Sequence, residues 1–94
     1  MKVETPFSGS DYSFNVITEN KGDKVNNHYH KKWDETWYIV RGRYEFFIDG
    51  VKVHAATGDV ITAKRGVRHS VSCMMDGSQR LAVFKDGVEL IYED

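Results

Sequence analysis

Glycine-bearing turns recur along this chain at short intervals: Lys21-Gly22-Asp23, Arg41-Gly42, Asp49-Gly50, Thr57-Gly58-Asp59, Arg65-Gly66, Asp76-Gly77-Ser78 and Asp86-Gly87. The stretches between them are strand-length and rich in Val, Ile, Tyr, Phe, Trp and Thr, and none is long enough for a capped helix. This punctuation predicts an all-β chain. Evenly spaced short strands favour a sandwich or barrel, because closure removes most unpaired edges. With 94 residues, 40% of them apolar, the expectation is a single domain over residues 1–94 with one modest core. A core that small makes pairing with a second copy a plausible source of stability, and a homodimer is expected. The lone proline, Pro6, is read as preceding the strand region.

Asp49-Gly50 is the clearest hairpin, since Asp-Gly tolerates the positive φ angles of a two-residue type I′ turn. With that turn Ile48 faces Val51, Phe46 faces Val53 and Tyr44 faces Ala55, which makes the core face. Phe47 with Lys52 and Glu45 with His54 fall on the other face. Asp86-Gly87 predicts a second hairpin, joining Leu81–Lys85 to Val88–Tyr92.

Charge and composition exclude several function classes. Lys and Arg number 13 against 14 Asp and Glu, a formal net charge of −1, so no overall basic field exists for nucleic acid or an anionic membrane. The longest apolar run is Trp37 to Val40, and Met1 to Phe14 lacks the apolar stretch of a signal peptide, so a cytoplasmic protein is expected. The one cysteine, Cys73, forms no internal disulfide, which agrees with a reducing compartment.

Three of the four histidines fall where metal ligands are expected. In a strand, residues two apart share a face, so His28 and His30 present both imidazoles to one side, together with Asn26. Glu35 opens the next strand after a turn. His69 begins a strand whose same-face partners are Val71 and Cys73, so His28, His30, Glu35 and His69 can converge inside one barrel. Three imidazoles and a carboxylate suit one divalent first-row transition metal, Fe, Mn, Ni, Zn or Cu, and disfavour Ca or Mg. Four protein ligands leave open positions on an octahedral ion, as a catalytic site requires. The fourth histidine, His54, is explained by a surface pair with Glu45.

These residues fall into two motifs. Gly22, His28, His30, Glu35 and Gly42 resemble the first motif of the cupin superfamily at every fixed position. Gly58, Gly66 and His69 resemble the second, which extends to Cys73; the two occupy residues 22–42 and 58–73, with the Asp49-Gly50 hairpin between them. The resemblance implies a small double-stranded β-helix, a jelly-roll barrel of two antiparallel sheets, with a metal on His28, His30, Glu35 and His69 and frequent dimers. Lys64 stands where the family pattern has proline, and Cys73 where it has asparagine. The first departure bears on the rigidity of the loop before His69.

Candidate substrate contacts are Asn26, Trp37, Phe46, Cys73 and Arg68, and Tyr44 is the candidate catalytic residue, because a buried phenol needs a polar partner. Lys31, Lys32, Lys64, Arg65 and Arg68 lie in the two loops that flank the ligands. If those loops converge, the cations favour an anionic small-molecule substrate. The leading function is a metal-dependent dioxygenase. The alternatives are a redox-neutral lyase or isomerase with Tyr44 or a metal-bound hydroxide as base, and a non-catalytic small-molecule binding module.

Overall fold

Side chains alternate between core and solvent along most of the chain, and that period of two folds it into strands. The structure, a computed structural model, describes residues 1–85 and 91–92. Its strands are β1 (Lys2–Ser8), β2 (Ser13–Glu19), β3 (Lys24–Tyr29), β4 (Glu35–Arg41), β5 (Arg43–Ile48), β6 (Val51–Ala56), β7 (Val60–Ala63), β8 (His69–Cys73), β9 (Ser78–Phe84) and β10 (Ile91–Tyr92). They form two antiparallel five-stranded sheets, ordered β1-β2-β9-β4-β7 and β10-β3-β8-β5-β6. No helix among the described residues is long and apolar enough to cross a membrane.

The core lies between the sheets. Trp37 and Ile39 from β4 and Ala82 from β9 meet Tyr44, Phe46, Ala55, Val71 and Cys73 from the facing sheet, all nearly inaccessible. The Trp37 and Phe46 rings approach to 5.1 Å and join the two layers. Burying a side chain of this size stabilises the fold by about 1.5–3 kcal/mol.

The β5–β6 hairpin pairs as the Asp-Gly turn requires: Ile48 with Val51, Phe46 with Val53, Tyr44 with Ala55 and Glu45 with His54. Asp49 and Gly50 both have positive φ, 52° and 76°. His54 lies 3.9 Å from Glu45 on the outer face. Val51, beside the turn, is 62% exposed and does not join the core face expected of it.

Two further expectations need correction. Pro6 lies within β1, at the register shift between Glu4 and Phe7, where a sheet-edge strand tolerates a residue with no N–H. The second hairpin does not form as read. Residues 86–90 lie outside the described residues, but β10 pairs with β3, Ile91 with Tyr29 and Tyr92 with His28, because β9 already has β2 and β4 on its two sides.

Gly42, between β4 and β5, combines a φ of +93° with a close approach. A Cβ there would run into the Ser78 side chain and stand 2.8 Å from its Cα. That serine is held in place, since its hydroxyl donates to the Met75 carbonyl (2.6 Å) and accepts from the Arg43 N–H (3.2 Å). Gly42→Ala is therefore expected to lower stability by roughly 2–4 kcal/mol, and Gly50→Ala, which has open space, by about 1 kcal/mol. Urea unfolding of the two variants checks this; equal losses would contradict the role of Ser78.

Candidate metal centre

The β3–β8 ladder aims the first two imidazoles. Its register runs from Val25 opposite Val71 to His28 opposite His69, three residues on β3 against two on β8. The extra residue is a β-bulge, and it breaks the alternation. Val25 and His28 both turn inward, whereas Asn26 is exposed. The expectation that Asn26 shares the inward face with the imidazoles is thus corrected; its contribution is a backbone carbonyl. His30 follows β3, Glu35 opens β4 and His69 opens β8.

One donor atom from each of His28, His30, Glu35 and His69 comes together with the others inside 4.8 Å, and these four could hold a metal ion. All three imidazoles are buried. The His28 ring centroid lies 4.2 Å from that of His69 and 5.2 Å from that of His30. His28 Nδ1 donates to the Asn26 carbonyl (2.7 Å) and His69 Nδ1 to the Val67 carbonyl (3.0 Å). A backbone acceptor holds the proton on Nδ1, so each Nε2 keeps its lone pair for a ligand. His30 Nε2 hydrogen-bonds Glu35 Oε1 at 2.9 Å. His69 Nε2 stands 3.6 Å from the same oxygen, too long for a hydrogen bond, and has no hydrogen-bond partner among the described residues. A buried imidazole nitrogen oriented in this way, among two more imidazoles and a carboxylate, fits a borderline transition metal.

Burial also tunes the charges. Desolvation pushes His28 below the ordinary imidazole value, which disfavours its charged form. For Glu35 burial acts upward, but the adjoining His30 and His69 outweigh it and hold the carboxyl at about 2, below its ordinary 4.5.

A cavity of about 300 Å³ adjoins the cluster, and His28, His30 and Glu35 line it. Val3, Ile17, Val25, Trp37, Val71 and Phe84 supply apolar walls, with Asn15 and Arg80 as polar additions. Trp37 also packs edge-on against His69, centroids 5.2 Å apart.

The other candidates lie elsewhere. Phe46 is fully buried behind Trp37, and Cys73 is core, its thiol donating to the Met75 carbonyl at 3.1 Å. Arg68 leaves the barrel interior because it precedes β8 on the outward side. Its guanidinium lies over the Tyr29 ring, 4.9 Å away, beside an outer groove with Phe47 and Asp49. Tyr44 is buried next to Arg80, 5.9 Å from ring to guanidinium, and does not line the cavity. Burial and the nearby Glu19 carboxylate push its phenol far above the usual range, so it stays protonated.

The two ligand-flanking loops do converge. The Gly66 N–H donates to the His30 carbonyl (2.6 Å) and the Arg65 N–H to Asp34 (2.8 Å). They do not form a cationic ring on the cavity, since Asp34 stands 3.7 Å from the Arg65 guanidinium and none of the five cations lines the space. Three contributors went unread in the sequence. Arg80 and Glu19 are charged residues on inward strand positions, a signal that was available. Trp33, whose ring stacks 6.2 Å from His30, lies in a loop with no periodicity to mark it.

Several comparisons bear on this geometry. A family model described as a cupin domain matches residues 15–84. The chain is 30% identical over 63 residues, 65% of its length, to a quercetin 2,3-dioxygenase of Bacillus subtilis (strain 168), and spans 19% of that protein. KdgF from Halomonas sp. shares the fold with a TM-score of 0.84 at 20% identity, with 88% of this chain and 76% of that one covered. Oxalate decarboxylase from Bacillus subtilis, at pH 4.6, gives a TM-score of 0.73 at 24% identity, with 83% and 22% covered. At such identities the structural likeness extends to the fold.

The depressed Glu35 carboxyl sets a pH dependence for the metal-free protein. A group whose folded value lies below its unfolded value stabilises the fold above the unfolded value, and that contribution is lost as pH falls from 4.5 towards about 2. Glu35→Gln in chelator is expected to be less stable than wild type near neutral pH, with the difference closing across that acid window. Urea midpoints measured across the range check it; a difference independent of pH would contradict the assignment.

Proposed function

Because the chain belongs to the cupin domain family, we propose that its four-donor cluster holds one divalent first-row transition metal and that the barrel is a metal-dependent enzyme acting on a small molecule, with dioxygenase-like chemistry. The observation that carries this reading is a pairing of features. Three imidazole nitrogens and a carboxylate oxygen meet within 4.8 Å, beside a largely apolar cavity that, apart from those ligands, is lined by no carboxylate, imidazole or thiol among the described residues.

Bound there, an iron, manganese, nickel, zinc or copper ion would supply redox or Lewis-acid chemistry at coordination positions left open by four protein donors. The chain's own residues prepare that site. Asn26 and Val67 carbonyls fix the His28 and His69 rings, and Glu35 is held ionised by the imidazoles beside it. Trp37, Val71 and Phe84 give the space where a substrate would lie apolar walls. A redox-neutral lyase or isomerase needs a base to move a proton, and Tyr44 is unsuited, being buried, protonated and away from the cavity. The likeness to a quercetin 2,3-dioxygenase supports the dioxygenase-like reading and suggests planar, oxygen-bearing aromatic compounds as first trial substrates.

Protein purified without chelator is expected to carry about one equivalent of metal by elemental analysis, and His28→Ala/His69→Ala to lose it while remaining folded. Dioxygen uptake with quercetin and related phenols then tests the reaction. No metal in the native protein, and none taken up on adding these ions, would overturn the enzymatic reading. Stable metal and tight binding without turnover would favour a binding module.

A further inference from the structure

The cavity has a second polar end. Arg80 on β9 donates from Nε to Glu19 Oε1 (2.8 Å) and from Nη2 to Glu19 Oε2 (3.3 Å), and the two side chains are 3% and 0% exposed. Arg80 lines the cavity, and its two bonds to Glu19 leave its third nitrogen, Nη1, unused by that pair. Trp37, also a lining residue, buries its indole N–H without an acceptor among them. Asn15 already accepts on Oδ1 from the Thr5 hydroxyl (2.8 Å), which leaves its NH₂ to offer. Away from the imidazole–carboxylate cluster, these three residues present donors to the space, and donors facing a cavity call for acceptors.

Charge narrows what those acceptors are. Glu19 neutralises the guanidinium, so a carboxylate brought to Arg80 would be desolvated beside a like charge, whereas a neutral oxygen would not. Distance fixes the layout. Arg80 pairs with Ile39, four residues along β4 from Glu35, so the two ends lie roughly 13 Å apart at the backbone. Between them on the inward row of β9 is Ala82, opposite Trp37, which lines the cavity.

We propose that the ligand spans this cavity, with an oxygen-donor head at the His28–His30–Glu35–His69 cluster and a neutral oxygen acceptor, a carbonyl, ether or hydroxyl, on Arg80. Glu19 is the positioning residue that holds and neutralises the guanidinium. The inference rests on the metal reading above and names the class of molecule that site takes.

Calorimetry on zinc-loaded protein tests it with three catechols whose para arms match in length and end in a methyl ketone, a carboxylate or an alkyl group. Zinc uptake is measured first, and its absence would overturn the metal reading and this inference with it. With zinc bound, the ketone is expected to bind about tenfold tighter than the alkyl compound and several-fold tighter than the carboxylate. In Glu19→Gln/Arg80→Met, which removes both buried charges together, the ketone preference over the alkyl compound should fall below about threefold, with zinc stoichiometry unchanged. Should that variant fail to unfold cooperatively, Arg80→Lys keeps a cation for Glu19 but removes the forked donor, and the same loss is expected. Zinc uptake with equal ketone and alkyl affinities, a carboxylate that binds tightest, or a preference that survives both variants would overturn the Arg80 assignment alone.

Discussion

A hydrogen bond of 2.9 Å between His30 and Glu35 links the two sheets through an interior otherwise closed mainly by apolar packing. His30 leaves β3 in one sheet and Glu35 begins β4 in the other, so the loop over residues 31–34 carries the chain across the barrel between the two partners. The geometry of the site follows from that crossing. Sheet pairing sets His69 opposite His28, and the crossing brings a carboxylate from the other sheet up to them. The Gly66–His30 backbone bond then ties the loop before His69 to the same crossing.

Much of this was legible in the residues, because the devices involved are local. The Asp49-Gly50 turn fixes its own register, and Glu35 and His69 are placed by being the first residues of their strands. The bulge in β3 was not legible: it depends on the register with β8, more than forty residues away, so alternation counted from His28 put Asn26 on the wrong face. The Glu19–Arg80 pair joins residues 61 apart, and nothing in either strand alone identifies the other as its partner. Charge counting erred in the other direction, since the cations of the flanking loops lie outside the cavity, and one of them, Arg65, is met by Asp34.

The interior therefore has two kinds of polar group, divided by function of charge. With neutral imidazoles the imidazole–carboxylate cluster carries one negative charge, which a proton would cancel and a divalent ion would exceed by one. The Glu19–Arg80 pair is balanced already, which makes it a fixed part of the wall; removing one partner alone would leave an uncompensated charge in the barrel.

Both tryptophans of the chain belong to this neighbourhood: Trp33 stacks on His30, and Trp37 meets His69 edge-on. Indole emission from this protein is thus a local optical probe. It senses the state of two candidate ligands directly, and a change in emission need not signal that the barrel has come apart.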